Sequence, residues 1–292
     1  MNLQQRRKYN EQLIGGGGNI TPKMVYNELE KFHTKMKNSL NWKNVRTNAV
    51  TKTSKFEKGG TADSNSFSGQ LGFVRNFSDP YACFSTLTRK PHGRSLAKLL
   101  GKYMRQKHPK FKFTSICVNR NWPGTLHVDR NNSGPSMMLT VGSPGLKGGN
   151  LYVHKLKGGS KVLKTANKIV HFDGNDAHMT FPYSGTRYSM VFYTIKRRID
   201  PQRRKELRKL YFNVPTSVKL GVKHTPRKLR LNGAIEDMKT KYPSLYRTYQ
   251  KRQAGSEKAV AAYRKSRNAF KGYPNGFPSF GKKQSSRRTR RN

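Results

Sequence analysis

The sequence predicts an α+β fold in which helices flank a core of short antiparallel strands, a sandwich or small barrel, and both ends run out into basic tails. Three observations carry this. Five β-type runs, "FKFTSICVN", "SMMLTV", "GNLYVHKL", "NKIVHFDG" and "TRYSMVFYTI", fall between residues 111 and 195, separated by glycine-rich turns. Apolar residues at helical spacing precede and follow them. Lys and Arg number 60 against 14 Asp and Glu, and only 33% of the residues are hydrophobic, so much of the chain is surface or tail.

In chain order, residues 1–20 read as a basic arm jointed by the glycines Gly15 to Gly18. A helix then starts with Thr21 as N-cap and Pro22 at the first helical position, and Val25, Leu29, Phe32 and Met36 form its apolar stripe. Residues 43–70 are polar and rich in Gly, Ser and Thr, which predicts loop or edge structure. A second helix follows, with Leu96, Leu99, Leu100, Tyr103 and Met104 on one face and Pro109 ending it. Residues 21–110 are thus a helical and loop support region and 111–197 the β core. Residues 198–280 form a basic helical extension, including "DPQRRKELRKLYF" and a helix from Gly233 to Lys251, and 281–292 a basic tail. Neither end has enough apolar residues for a core of its own, so both are expected to wrap the sheet.

A net charge of +46 exceeds what solubility requires and points to a polyanionic partner, nucleic acid first. No apolar run is long enough to span a bilayer and no lipidation signal is present, so no membrane partner is expected. Cys83 and Cys117 are too few for a disulfide framework or a zinc-finger set. With the polar N-terminus, they predict an intracellular protein of the nucleus or another nucleic-acid compartment, an organelle being the alternative.

Histidine and aspartate two residues apart on a strand share one face, and a later histidine completes a set of two imidazoles and one carboxylate that suits Fe(II). Two such pairs occur, His127/Asp129 and His171/Asp173. The first leaves room for further strands before a third ligand returns in "HMTFPYSGTRYSMVFY", where His178 is followed by Arg187 and Ser189. An arginine and a serine two apart on a strand can together hold the distal carboxylate of a dicarboxylic acid. His171 and Asp173 then read as structural or as outer support of the site.

These motifs, across residues 111–196, resemble the Fe(II)/2-oxoglutarate-dependent dioxygenase superfamily, and more narrowly its TET/JBP branch, which oxidises methyl groups on nucleic-acid pyrimidines. "HVDRNN" is similar to that branch's His-x-Asp-x-x-Asn, "HMTFP" to its His-x-Thr-x-Pro and "RYSMVFY" to its Arg-x-Ser-x-Val-Phe-Tyr. The resemblance implies a double-stranded β-helix (jelly-roll) core and Fe(II), 2-oxoglutarate and O2 as cofactors. It implies His127, Asp129 and His178 as iron ligands, Arg187 and Ser189 as the 2-oxoglutarate anchor, and Asn132 and Tyr193 as base-reading and base-stacking residues. Asn119 and Asn121 are further candidates to line the 2-oxoglutarate pocket. Ile195 stands where the branch has a base-contacting histidine. That departure keeps two other substrates in view, RNA or a protein side chain, and the basic ends keep a non-catalytic ribonucleoprotein subunit in view. The favoured partner is DNA. The tail adds Tyr263, Phe270, Tyr273, Phe277 and Phe280 among basic residues, a composition suited to backbone charge plus base stacking.

Overall fold

A computed structural model describes residues 18–37, 66–76, 78–221 and 225–254. The arm before residue 18, residues 43–65 of the polar stretch, and the aromatic and arginine-rich tail lie outside these ranges.

Two helices cover one side of the molecule. In α1 (Pro22–Lys37) the Thr21 hydroxyl accepts from the Met24 N–H, and Val25, Leu29, Phe32 and Met36 are all buried. Each such side chain contributes on the order of 1.5–3 kcal/mol of burial free energy. The one-turn α2 (Thr86–Arg89) leads into α3 (Pro91–Lys107), which buries the predicted stripe from Leu96 to Met104.

These helices pack on a six-stranded antiparallel sheet in the order β2 (Cys83–Phe84), β1 (Phe67–Val74), β3 (Ser115–Arg120), β11 (Arg187–Tyr193), β4 (Ser136–Gly142), β8 (Val170–Phe172). A second sheet has the order β7 (Gly159–Leu163), β6 (Leu151–Lys155), β9 (Ala177–Thr180), and a backbone bridge from His127 to His178 extends it. The short β5 (Lys147–Gly148) and β10 (Tyr183–Ser184) form a third ladder. From β4 onward the chain passes back and forth between the two main sheets: β4, β8 and β11 belong to the larger, the hairpin of β6 and β7 and then β9 to the smaller. Met138 and Phe172 of one sheet pack against Leu151 and Val153 of the other. This is a double-stranded β-helix.

Two expectations change. Part of the stretch read as loop or edge is β1, paired on both sides, so the sheet recruits strands from before residue 111. Its glycines and polar residues hid it, because Ser68 and Gln70 face the interior of the site rather than an apolar core. The helix expected from Gly233 to Lys251 is two helices, α5 (Arg227–Lys241) and α6 (residues 243–254). Pro243 has no N–H to continue the hydrogen-bond ladder, so the first ends at Tyr242. The shorter α4 (Pro201–Arg208) is capped by Asp200, whose carboxylate accepts from the Arg203 N–H. Helices α5 and α6 cover the outer face of the smaller sheet, where Ala234, Met238 and Leu245 pack on Leu126, Val128, Tyr152 and Met179.

Candidate active site

Strand periodicity sorts the side chains. Leu126 and Val128 face α5 and α6, which turns His127 to the opposite, inner face of the smaller sheet beside His178. Asp129 completes the group: its carboxylate oxygens lie 3.8 Å from His127 Nε2 and 3.9 Å from His178 Nε2, and one ligand atom from each residue falls within 4.8 Å of the others. The structure therefore brings together the three predicted iron ligands.

Backbone acceptors set the two imidazoles. His127 Nδ1 is 2.6 Å from Thr125 O and His178 Nδ1 is 2.8 Å from Asp176 O. Each Nδ1–H donates to its carbonyl, so each Nε2 presents a lone pair inward, as a metal ligand requires. Burial, and next the neighbouring His127 ring, push the His178 imidazole down to about 4, so it is neutral at ordinary pH. His178 is 6% exposed, whereas His127 and Asp129 are 41% and 33% exposed, so the cluster is open on one side. That is the asymmetry a site needs to admit further ligands.

Behind Asp129, Asn132 Nδ2 donates to Asp129 Oδ2 (3.1 Å) and to Ser136 Oγ (3.3 Å). The Asp129 N–H donates to Gly174 O, and a Cβ on Gly174 would stand 2.7 Å from Asn132 Nδ2. The expected base-reading amide thus spends its donors on Asp129 and Ser136, and only its Oδ1 is left without a partner among the described residues.

The inner face of the larger sheet continues the site in register. Ser68, Asn119, Ser189 and Thr140 form one cross-strand row. They are linked by Ser68 Oγ to Asn119 Oδ1 (2.7 Å) and Asn119 Nδ2 to Ser189 Oγ (3.4 Å). Arg187 is 1% exposed; its guanidinium donates to Thr140 Oγ1 and Gly149 O, lies over the Tyr183 ring, and keeps Nε without a partner. No carboxylate pairs with it among the described residues, and burial holds it down to about 10. A buried cation with an unused donor and no anion is what an incoming carboxylate would complete. Gly149 gives it room, since a Cβ there would come within 2.7 Å of Nε.

Asn121 departs from expectation. It lies past the end of β3 with a left-handed φ of 46°, and its Oδ1 accepts from the Arg187 N–H, so it fixes the strand end instead of lining the pocket. The rival pair does not converge either. His171 pairs with Met137 on the outer face and packs edge-on to His108 and Phe111, while Asp173 accepts from the Asn175 N–H and side chain in a local turn. Phe172, between them, is the residue that faces inward, edge-on to His178. No sequence signal marked Phe172 or Thr140, since their roles depend on cross-strand register.

The cluster opens into a cavity of about 1040 Å³ that also takes in Asn119, Ser189, Tyr193, Ile195 and Gln70. Among the described residues Asp129 is the one acidic residue in its lining, and Arg75, Lys90, Arg130 and Arg227 supply four cations. Among the described residues no helix is long and apolar enough to cross a membrane.

No protein-family model matches the sequence, and no curated protein matches it either. Solved structures similar to the chain include a member of the 2-oxoglutarate-Fe(II) oxygenase family. It is an oxidoreductase from Burkholderia pseudomallei, 16% identical, covering 44% of this chain and 68% of its own, with a TM-score of 0.35. Another is NgTET1 in complex with 5mC DNA, 16% identical, covering 65% and 78%, with a TM-score of 0.38. A third is a prolyl hydroxylase from Trichoplax adhaerens in complex with a hypoxia inducible factor peptide, 13% identical, covering 70% and 97%, with a TM-score of 0.32.

Proposed function

We propose that this chain is an Fe(II)- and 2-oxoglutarate-dependent oxygenase that oxidises a methyl group on a pyrimidine base of nucleic acid, DNA in preference to RNA. The observation that carries it is the inward-facing His127, Asp129 and His178 group together with the buried, anion-free guanidinium of Arg187, which lies two residues from the cavity-lining Ser189 on β11. His127, Asp129 and His178 would hold the metal, and Arg187 with Ser189 would hold the distal carboxylate of 2-oxoglutarate. Together iron, 2-oxoglutarate and O2 supply an oxidant able to break an unactivated C–H bond.

The chain's own contribution is orientation and exclusion. Thr125 O and Asp176 O fix the imidazoles, and Asn132 fixes Asp129. Met138, Leu151, Phe172 and Val191 form apolar walls that keep water from the reacting position. The cationic rim favours a polyanion over a neutral peptide. A base stacked in a duplex cannot reach a cluster set between two sheets, so the substrate base is extruded or already single-stranded.

Succinate formation with Fe(II) and 2-oxoglutarate, abolished in His127→Ala and Arg187→Ala, is the first test. Mass spectrometry of nucleosides from methylated DNA and RNA then tests the substrate. Absence of metal binding by the wild type would sink the oxygenase assignment, and unchanged nucleosides beside robust succinate formation would sink the substrate.

A further inference from the structure

We infer that Gln70, on β1, is the residue that reads the edge of the substrate base, a role that rests on the base-oxidation proposal above. It lines the same cavity as the His127, Asp129 and His178 group. Cross-strand register places it in a row with Cys117, Val191 and Met138, next to the polar row of Ser68, Asn119, Ser189 and Thr140.

Asn131 lies exposed at the mouth of this cavity, and the amides deeper in it, Asn119 and Asn132, are committed. Asn132 gives its donors to Asp129 and Ser136. Asn119 is held by Ser68, Cys117 and Ser189. Gln70 makes one side-chain hydrogen bond, from Nε2 to Tyr193 Oη at 2.8 Å. Its Oε1 and second N–H have no partner among the described residues. Its backbone is fixed, because it pairs with Cys117 of β3 and the Ser85 hydroxyl donates to Gln70 O at 2.7 Å.

Facing the cavity beside apolar Val191 and Met138, this half-buried amide keeps one donor and one acceptor available to a ligand, and a base that displaces water from it must meet both or lose free energy. The Watson–Crick edge of a pyrimidine meets both, since cytosine offers N4–H beside the N3 acceptor and thymine offers N3–H beside O4. The hydrogen bond to Tyr193 ties this reading group to the aromatic ring that lines the same space. Ile195, also in the lining, can make no such bond. Gln70 therefore supplies the donor and acceptor pair that neither Asn132 nor Ile195 can.

The test uses the full chain and the variants Gln70→Leu, Gln70→Met and Gln70→Glu. Two readouts are binding by fluorescence anisotropy, comparing an oligonucleotide with one mispaired 5-methylpyrimidine against an abasic control, and kcat/KM for nucleoside oxidation. In Gln70→Leu and Gln70→Met the preference for the base-containing oligonucleotide and kcat/KM should fall about 10- to 100-fold, the scale of one bidentate base contact. Co(II) affinity and nucleic-acid-independent succinate formation should stay unchanged, which separates base reading from damage to the site. Gln70→Glu, which keeps an acceptor but loses the donor, should change the ratio of rates on methylcytosine and thymine. If Gln70→Leu and Gln70→Met bind and oxidise like wild type, Gln70 does not read the base and the base-oxidation proposal still stands. If wild type makes succinate but oxidises no nucleoside, both fall together.

Discussion

Asn132 donates a hydrogen bond to Asp129 across 3.1 Å, and Gly174 sits so close behind the pair that a side chain there would touch both. The single carboxylate of the cluster is therefore held by an amide, with no lysine or arginine paired to it among the described residues. Outer-sphere partners of this kind typically change metal affinity by about 10–100-fold when removed. Asn132→Ala and Gly174→Ala should each weaken Co(II) or Fe(II) binding by about that factor, measured by anaerobic titration. Unchanged affinity in both variants would show that Asp129 needs no support from this side.

Arg187 yields a test that separates stability from binding. Because its guanidinium is buried with no carboxylate beside it among the described residues, Arg187 is an unpaired charge until a dicarboxylate binds. Arg187→Met should leave the protein without 2-oxoglutarate as stable as wild type or more so. Wild type should gain about 2.7 kcal/mol at 2-oxoglutarate concentrations near 100 Kd, and the variant nothing. Thermal melts with and without 2-oxoglutarate read both effects; an equal ligand-induced shift in the two proteins would remove Arg187 from the anchor role.

Much of the fold was legible because it obeys simple periods. The stripe from Val25 to Met36 and that from Leu96 to Met104 are buried as helical spacing requires, and the five β-type runs coincide with β3, β4, β6, β8 and β11. The cluster of His127, Asp129 and His178 was legible from motif spacing. What spacing could not supply was register and backbone state. Asn119 and Asn121 look equivalent in sequence, yet a left-handed residue at 121 ends the strand and turns its side chain to the Arg187 backbone. Gln70 was invisible because β1 carries its polar residues on an interior face, which in sequence looks like a loop.

The cationic rim predicts a salt signature. Neutralising Arg75, Arg130 or Arg227 to Gln should weaken nucleic-acid binding, and each residue that touches a phosphate should reduce the slope of log K against log salt by about 0.9 on duplex DNA. A slope that stays constant in all three variants would place the polyanion elsewhere. Deleting residues 281–292 in the same assay measures the share of the tail.

Acid sensitivity should concentrate at Asp79. The hydrogen bond from the Cys83 thiol, that from the Tyr81 N–H and that from Arg203 hold its carboxyl down to about 2. A carboxyl lowered in the folded state stabilises above its ordinary value near 3.8, and that contribution disappears as pH falls from there toward 2. Asp79→Asn should therefore be less stable than wild type at neutral pH, and the gap should close toward pH 2 in urea melts. A gap that holds constant with pH would mean the asparagine disturbs packing and that the ionised carboxylate contributes little.

Arg252 connects the C-terminal helices to the cluster. From α6 its guanidinium donates to Gly124 O at 3.0 Å and to Thr180 O at 2.9 Å, clasping the two segments that carry His127 and His178. On α5, Arg230 makes a corresponding contact with Asn175 O, next to the Gly174 carbonyl that holds Asp129. Both are buried, so truncating Arg252 leaves two carbonyls short of a charged donor. Arg252→Ala should cost about 2–4 kcal/mol in urea unfolding. Amide exchange at Thr180, whose N–H donates to Gly124 O, should accelerate more than at Met190 in the far sheet. Uniform acceleration across both sheets would instead mean that α6 stabilises the whole fold and has no particular hold on the metal-binding strands.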